Sequence, residues 1–124
     1  MTKKKEEGKN QLVDAIVDGI QEVKGNNIVI LDLTEIPASI TDYFVICDGS
    51  SNTQVESIAD KIEEQTFKVL DQKAWKCEGR STANWIILDY FNVVVHVFHK
   101  EKRLLYDLEG LWADAKKKEI AVEL

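Results

Sequence analysis

Asp48-Gly49-Ser50-Ser51 is the stretch of this chain whose residue types come nearest to chemistry. A glycine and two hydroxyls stand directly before a segment with helical spacing, and the backbone N–H groups of a helix start can hold an anion. No Walker lysine follows, and no pair of carboxylates stands nearby to carry a magnesium ion. A turn followed by an N-cap accounts for the same residues, with Ser51 and Gln54 spaced as a capping box. Ser50 or Ser51 as a nucleophile would need a base and an oxyanion hole brought from elsewhere in the chain. The two histidines, His96 and His99, lie three apart in a segment that reads as a strand, so they point to opposite faces and cannot share a metal. His96, set between valines, reads as a hydrogen-bonded sheet histidine in preference to a catalytic base. Asp89 closes an apolar strand, a place where catalytic carboxylates can sit, but with no second carboxylate at close spacing it reads as a surface or turn-capping residue. Cys47 and Cys77 form no CxxC and fall in expected strands, where a reduced cysteine packs as a small hydrophobe. Of the three tryptophans, Trp112 reads as core of a terminal helix and Trp75 stays open. Trp85, opening a strand beside a polar loop, fits an interface anchor or an ordinary sheet-packing residue.

The elements that must position these groups are organised around Asn84 to His99. Trp85 to Tyr90 and Val93 to His99 read as two apolar strands joined by a two-residue turn at Phe91-Asn92. Trp85, Ile87 and Asp89 share one face, while Ile86, Leu88 and Tyr90 share the other. Both faces are mostly apolar, so one is expected to meet helices and the other a partner. Upstream, a helix is expected from Gln11 to Lys24 with Asn10 as N-cap, carrying Leu12, Val13, Ile16, Val17, Ile20 and Val23 as one stripe. Gly19 within it permits a close neighbour. Asn27 to Leu33 and Asp42 to Cys47 read as strands, and Asn52 to Leu70 as a long helix whose core face includes Val55, Ile58, Ala59, Ile62, Val69 and Leu70. Ala74 to Glu78 is a short strand. Lys100 to Tyr106 is a charged helical turn, and Asp107 caps a short helix holding Leu108, Leu111 and Trp112. The order α-β-β-α-β-β-β-α implies an α/β (α+β) domain with a mixed sheet flanked by helices.

The 124 residues suffice for one core, and 44% hydrophobic with 31% charged residues is a globular composition. Residues 10–115 are expected to form the single domain, between a disordered tail at 1–9 and a second tail at 116–124. Net charge is −6, and from Asp42 to Trp112 twelve acidic residues face eight basic ones. A body of that sign repels a phosphate backbone and suits a basic protein partner. Direct sequence-specific nucleic-acid binding is therefore not expected. No apolar run approaches the ~20 residues of a membrane span. The start, MTKKKEEGKN, lacks the apolar core of a secretory signal. A cytoplasmic protein with no membrane contact is expected.

Six pieces in this order resemble the Iojap-like ribosomal silencing factors, the RsfS family. They are SITDYFVI (Ser39 to Ile46), GSSNTQVESIAD (Gly49 to Asp60), Glu78-Gly79, NWIILDY (Asn84 to Tyr90), VVVHVF (Val93 to Phe98) and RLLYDLEGLW (Arg103 to Trp112). With LVDAI and NIVILDL before them, they cover about nine-tenths of the chain. The resemblance implies a nucleotidyltransferase-like fold without catalytic residues, no cofactor and no enzymatic activity. It implies binding to the large ribosomal subunit through ribosomal protein fourteen of that subunit. That occupancy would block joining of the small subunit and repress translation under nutrient limitation, with some relatives serving ribosome assembly in organelles. It also implies a homodimer. The partner-binding residues it assigns are Trp85, Asp89 and Tyr90, flanked by Glu78 and Arg80. Where the family has Gly-Asp in the hairpin turn this chain has Phe91-Asn92, so either Asn92 takes the left-handed position or the turn changes type. A minimal nucleotidyltransferase-like enzyme using Gly49-Ser50, or an interaction domain in large-subunit assembly, are the alternatives.

Overall fold

Two apolar sheet faces require two sets of covering elements, and the fold supplies one in full and the other in part. The computed structural model describes residues 2–121, with side chains for residues 11–121. The elements are α1 (Thr2–Glu22), β1 (Asn26–Asp32), β2 (Tyr43–Gly49), α2 (Asn52–Leu70), β3 (Lys76–Glu78), β4 (Trp85–Asp89), β5 (Val93–His99), α3 (Lys100–Tyr106), α4 (Leu108–Leu111) and β6 (Lys116–Glu119). They form the expected mixed sheet, with strand order β3-β4-β5-β2-β1-β6. Only β2 and β5 run parallel, from Tyr43 opposite Val93 to Gly49 opposite His99. The other pairs are antiparallel.

On one face, Val45, Cys47, Ile86, Leu88, Val93, Val95 and Val97 pack under α1 and α2. On the other, Val29, Leu31, Phe44, Ile46 and Phe98 meet Leu108 and Trp112. The unbroken apolar runs of β2 and β5 follow from this two-sided burial. α1 and α2 cross closely at Gly19, where an added Cβ would lie 3.1 Å from the Ile62 Cα and 3.2 Å from the Lys61 carbonyl oxygen. The buried stripe of α2, Val55, Ile58, Ala59, Ile62 and Thr66, continues to the half-buried Leu70.

Several expectations are corrected. α1 begins at Thr2, so Asn10 lies inside it and the expected tail at 1–9 is helical from Thr2 onward. Lysine and glutamate are strong helix formers and carry the helix through this polar segment. Lys116–Glu119 is not loose tail but an edge strand that pairs with the otherwise open side of β1. Its three lysines suit an edge exposed to water. Val69 and Cys77 are exposed, not core, and Leu111 of the short terminal helix is exposed too. Val69 lies in the last turn of α2, where Leu70 takes the half-buried place, Leu111 ends the four-residue α4, and Cys77 sits on the short outer strand β3. Cys47 is buried as expected.

The hairpin turn is where Phe91 departs from sequence preference. Phe91, not Asn92, takes the positive φ, at 70°. The Asn92 N–H donates to the Tyr90 carbonyl at 2.9 Å, closing a three-residue γ-turn around Phe91, a strained form with positive φ at its centre. Three contacts hold it. Asp89 Oδ1 accepts from the Phe91 N–H at 2.8 Å, the Thr41 hydroxyl donates to the Phe91 carbonyl at 2.9 Å, and the Phe91 ring stacks on Trp75 with centroids 4.8 Å apart. Asp89 is therefore a turn cap, and Trp75 is a surface aromatic paired with Phe91.

The α1–α2 crossing gives a direct test. Gly19→Val would drive a branched side chain into the α2 backbone, which cannot rotate away. It is expected to destabilise the fold by about 1–3 kcal/mol, measured as a lowered midpoint in urea unfolding. An unchanged midpoint would mean that the helices do not cross there.

Candidate functional site

The turn before α2 is filled by the chain's own side chains. Ser51 caps α2, its hydroxyl accepting from the Gln54 N–H at 3.1 Å. The Ser50 N–H, which an anion would have to use, donates to Gln54 Oε1 at 2.7 Å. Gln54 also donates to the Lys24 carbonyl at 3.1 Å, tying the start of α2 to the end of α1. Turn and N-cap describe these residues, and the amide of a phosphate cradle is already committed. The histidines part company as strand parity demands. His96 is buried in the sheet, and His99 Nδ1 accepts from the Glu101 N–H at 3.3 Å at the start of α3.

The second sheet face is covered only in part. α3, α4 and Trp112 lie over β1, β2 and the end of β5. Over β3 and β4 there is open surface. Cross-strand partners point to one face, so Glu78 stands beside Ile87 and Lys76 beside Asp89 on the same side as Trp85. Trp85 marks the boundary between covered and open. Its indole is half-buried, stacked on Phe98 at 4.8 Å, tilted against Tyr106 at 4.9 Å, and its Nε1–H donates to His96 Nδ1 at 3.1 Å.

Of the five residues assigned by resemblance, the structure brings three together on this face: Trp85, Asp89 and Glu78. Glu78 is exposed and paired with Lys76 Nζ at 3.1 Å. Tyr90 does not join them. It is buried on the helix face, its phenol in a 2.9 Å hydrogen bond with the Thr66 hydroxyl, because the γ-turn leaves it in strand parity with Leu88. Burial pushes its pKa up to about 12 against the opposing effect of that hydrogen bond. Arg80 also turns to the helix face, donating to Asp60 and Glu63 on α2 and to Cys77 Sγ at 3.2 Å.

Sequence reasoning missed residues that complete the site. Tyr106 caps the Trp85 ring from α3, and beside it Leu104 and Leu105 are 84% and 70% exposed. The signal was present as three apolar residues in a helix too short to bury all of them. Arg103 holds α3 in place and is itself buried. It donates to the Asn27 carbonyl at 2.6 Å, to Asp48 at 3.0 Å and to both oxygens of Glu109 at 3.0 and 3.1 Å. Hydrogen bonds from Arg103 hold the Glu109 carboxyl below its ordinary pKa. Gly79, at φ 92°, lets the loop before β4 pass the Trp85 carbonyl at a distance no Cβ would allow.

The family model described as ribosomal silencing factor during starvation matches residues 6–123. The chain belongs to the ribosomal silencing factor (RsfS) family. It is 44% identical over 92 residues to ribosomal silencing factor RsfS of Bacillus subtilis, covering 74% of this chain and 76% of the relative. It is 37% identical over 109 residues to that of Halalkalibacterium halodurans, covering 85% and 88%. The mouse protein named mitochondrial assembly of ribosomal large subunit protein 1 is 26% identical over 104 residues, covering 81% of this chain and 44% of that one. A crystal structure of a Chromobacterium violaceum protein superposes with a TM-score of 0.79 at 26% identity, covering 92% of each chain. No helix among the described residues is long and apolar enough to cross a membrane.

In this family member the buried histidine at the site has a measurable consequence. Burial lowers the His96 pKa to about 4, with the Asp89 charge acting weakly in the other direction. The unfolded chain, with a pKa of about 6.5, binds the proton more readily than the folded one. The stability from this group is thus complete above about pH 6.5 and is lost as pH falls towards 4. Unfolding free energy should drop between pH 6.5 and 4.5 by about 2 kcal/mol more in the wild type than in His96→Asn. Parallel slopes for the two proteins would show that His96 is not buried in its neutral form.

Proposed function

We propose that this chain binds the large ribosomal subunit through ribosomal protein fourteen of that subunit, on the face that meets the small subunit. Occupying that face blocks subunit joining and represses translation when nutrients are short. The protein acts in the cytoplasm by steric occlusion and performs no catalysis. The observation that carries this is the open half of the second sheet face, where Trp85 and Tyr106 stand beside Glu78 and Asp89. A rigid aromatic pair provides area that can be desolvated at the centre of an interface. The acids around it suit a basic ribosomal protein and favour fast, oriented encounter. Tyr90 and Arg80 support the site from behind through α2 and are not contact residues in this reading.

A role in large-subunit assembly is the second reading, favoured by the name of the mouse relative. A nucleotidyltransferase-like activity is disfavoured by Gln54, which holds the Ser50 amide. We further propose self-association, supported by the exposed Leu104, Leu105 and Leu111 on α3 and α4. Light scattering at micromolar concentration is expected to give the mass of two chains, and a monomer mass would remove this proposal.

The test of silencing is sedimentation with isolated large subunits, small subunits and joined ribosomes. Binding to large subunits alone is expected, with reduced joining when small subunits are added. Trp85→Ala should weaken large-subunit binding at least about tenfold, the loss typical of an anchor residue. Glu78→Lys should weaken it several-fold while leaving urea stability within about 0.5 kcal/mol, because the residue is exposed. Wild-type binding by both variants would move the interface elsewhere. Unchanged subunit joining despite binding would favour the assembly reading.

A further inference from the structure

β5 places an imidazole where its neighbours are valines, and the placement leaves one ring nitrogen without a partner. His96 is buried between Val95 and Val97, on the face opposite to theirs, against Phe44, Phe98 and Trp85. Its Nδ1 accepts from the Trp85 indole at 3.1 Å. A nitrogen that accepts carries no proton, so in the neutral ring the hydrogen lies on Nε2. That Nε2–H is buried and finds no acceptor among the described residues. A leucine or valine here would pack against the same rings and leave no donor unpaired. The polar ring therefore needs a reason, and the one polar contact it makes is with Trp85.

We propose that His96 is a positioning residue for Trp85: its Nδ1 lone pair fixes the indole in the one orientation that presents it beside Tyr106 on the open sheet face. The proposal rests on Trp85 being the partner anchor only for its consequence in binding; the positioning itself can be read without any partner. Strand geometry makes the pairing possible. Trp85 stands opposite Phe98, and Ile87 stands opposite His96, so the imidazole is the diagonal neighbour of the indole. Phe98 stacks on the ring and Tyr106 lies tilted against it, but neither contact is directional enough to fix the indole's side-chain torsions. A directional bond to Nε1–H removes that freedom. It also satisfies a donor that a half-buried tryptophan must otherwise leave without a partner. Burial keeps the imidazole neutral, so its lone pair stays available at ordinary pH.

The nitrogen that matters is identified by a pair of substitutions. Asparagine carries its carbonyl oxygen at the place of Nδ1, glutamine at the place of Nε2, and leucine carries no acceptor. Hydrogen exchange of the Trp85 indole N–H, followed by NMR on the full chain, should show protection in the wild type and in His96→Asn. Protection should fall about tenfold or more in His96→Gln and His96→Leu. Circular dichroism of each variant separates this local loss from unfolding. Large-subunit binding should weaken about fivefold in His96→Leu, the worth of one net hydrogen bond, and recover in His96→Asn. In a Trp85→Phe background, which has no indole N–H, His96→Leu should change binding less than about twofold. Equal indole protection in the folded Leu and Asn variants would overturn the proposal, as would an undiminished effect of His96→Leu in the Trp85→Phe background. If indole protection behaves as expected but Trp85→Ala binds large subunits like wild type, the positioning stands and the assignment of the partner surface fails.

Discussion

The constraint on which this structure depends is that its central strands are apolar on both faces while the chain can cover only one face fully. β2 and β5, the parallel pair, carry buried side chains on both sides. α1 and α2, of 21 and 19 residues, cover one side. α3 and α4, of 7 and 4 residues, reach over only part of the other. The uncovered remainder falls over β3 and β4. An aromatic at the edge of that cover, half in the core and half open, is what such a shortage produces. The same shortage creates a surface that a second protein can complete.

The short cover has to be held without the help of length. Helices of 7 and 4 residues gain little from propensity or cooperativity. Arg103 supplies the missing tie by bonding β1 through the Asn27 carbonyl, β2 through Asp48 and α4 through Glu109. Asp48 is 4% exposed, so removing Arg103 would leave a buried carboxylate without its cation. Breaking such a pair typically costs about 3–5 kcal/mol, more than these helices' few apolar contacts could return. The tie therefore sets the place of Tyr106, and with it one wall of the Trp85 pocket. Asp107 completes the arrangement by capping α4 through the Gly110 N–H at 3.2 Å.

Much of this was legible in the sequence, and what was not has physical causes. Periodicity located both long helices, the five apolar or half-apolar strands and the two-sided character of the central hairpin. Parity placed Trp85 and Asp89 together and Tyr90 opposite them. Local spacing cannot report a strand that exists only because β1 has an open side, which is why the lysines of β6 read as tail. It cannot choose between Val69 and Leu70, which both continue the α2 stripe. The resemblance placed Arg80 beside Glu78 at the flank of the site. Glu78, however, faces outward on β3, while the turn at Gly79 sends Arg80 to Asp60 and Glu63 on α2. The turn was left open between a left-handed Asn92 and a change of type, and it changes type. Preference for φ > 0 favours Asn over Phe, but preference is a local term, and the stack of Phe91 on Trp75 is not local.

The proposed role of Trp85 as anchor gives a reason why so much structure converges on one indole. Association must offset the ordering of interface side chains, about 0.5–1.5 kcal/mol for each rotamer-rich group immobilised. A tryptophan held on its Nε1 edge and by two rings has already lost that freedom in the free protein. In the proposed arrangement the cost moves from binding into folding, where it appears as a buried histidine whose Nε2–H has no partner among the described residues. The long helices and the central strands supply a core large enough to absorb it. Placing the anchor at the margin of α3, on strands rather than on a loop, then keeps its position tied to that core. A loop-borne tryptophan could reach the same surface, but each encounter would have to order it anew.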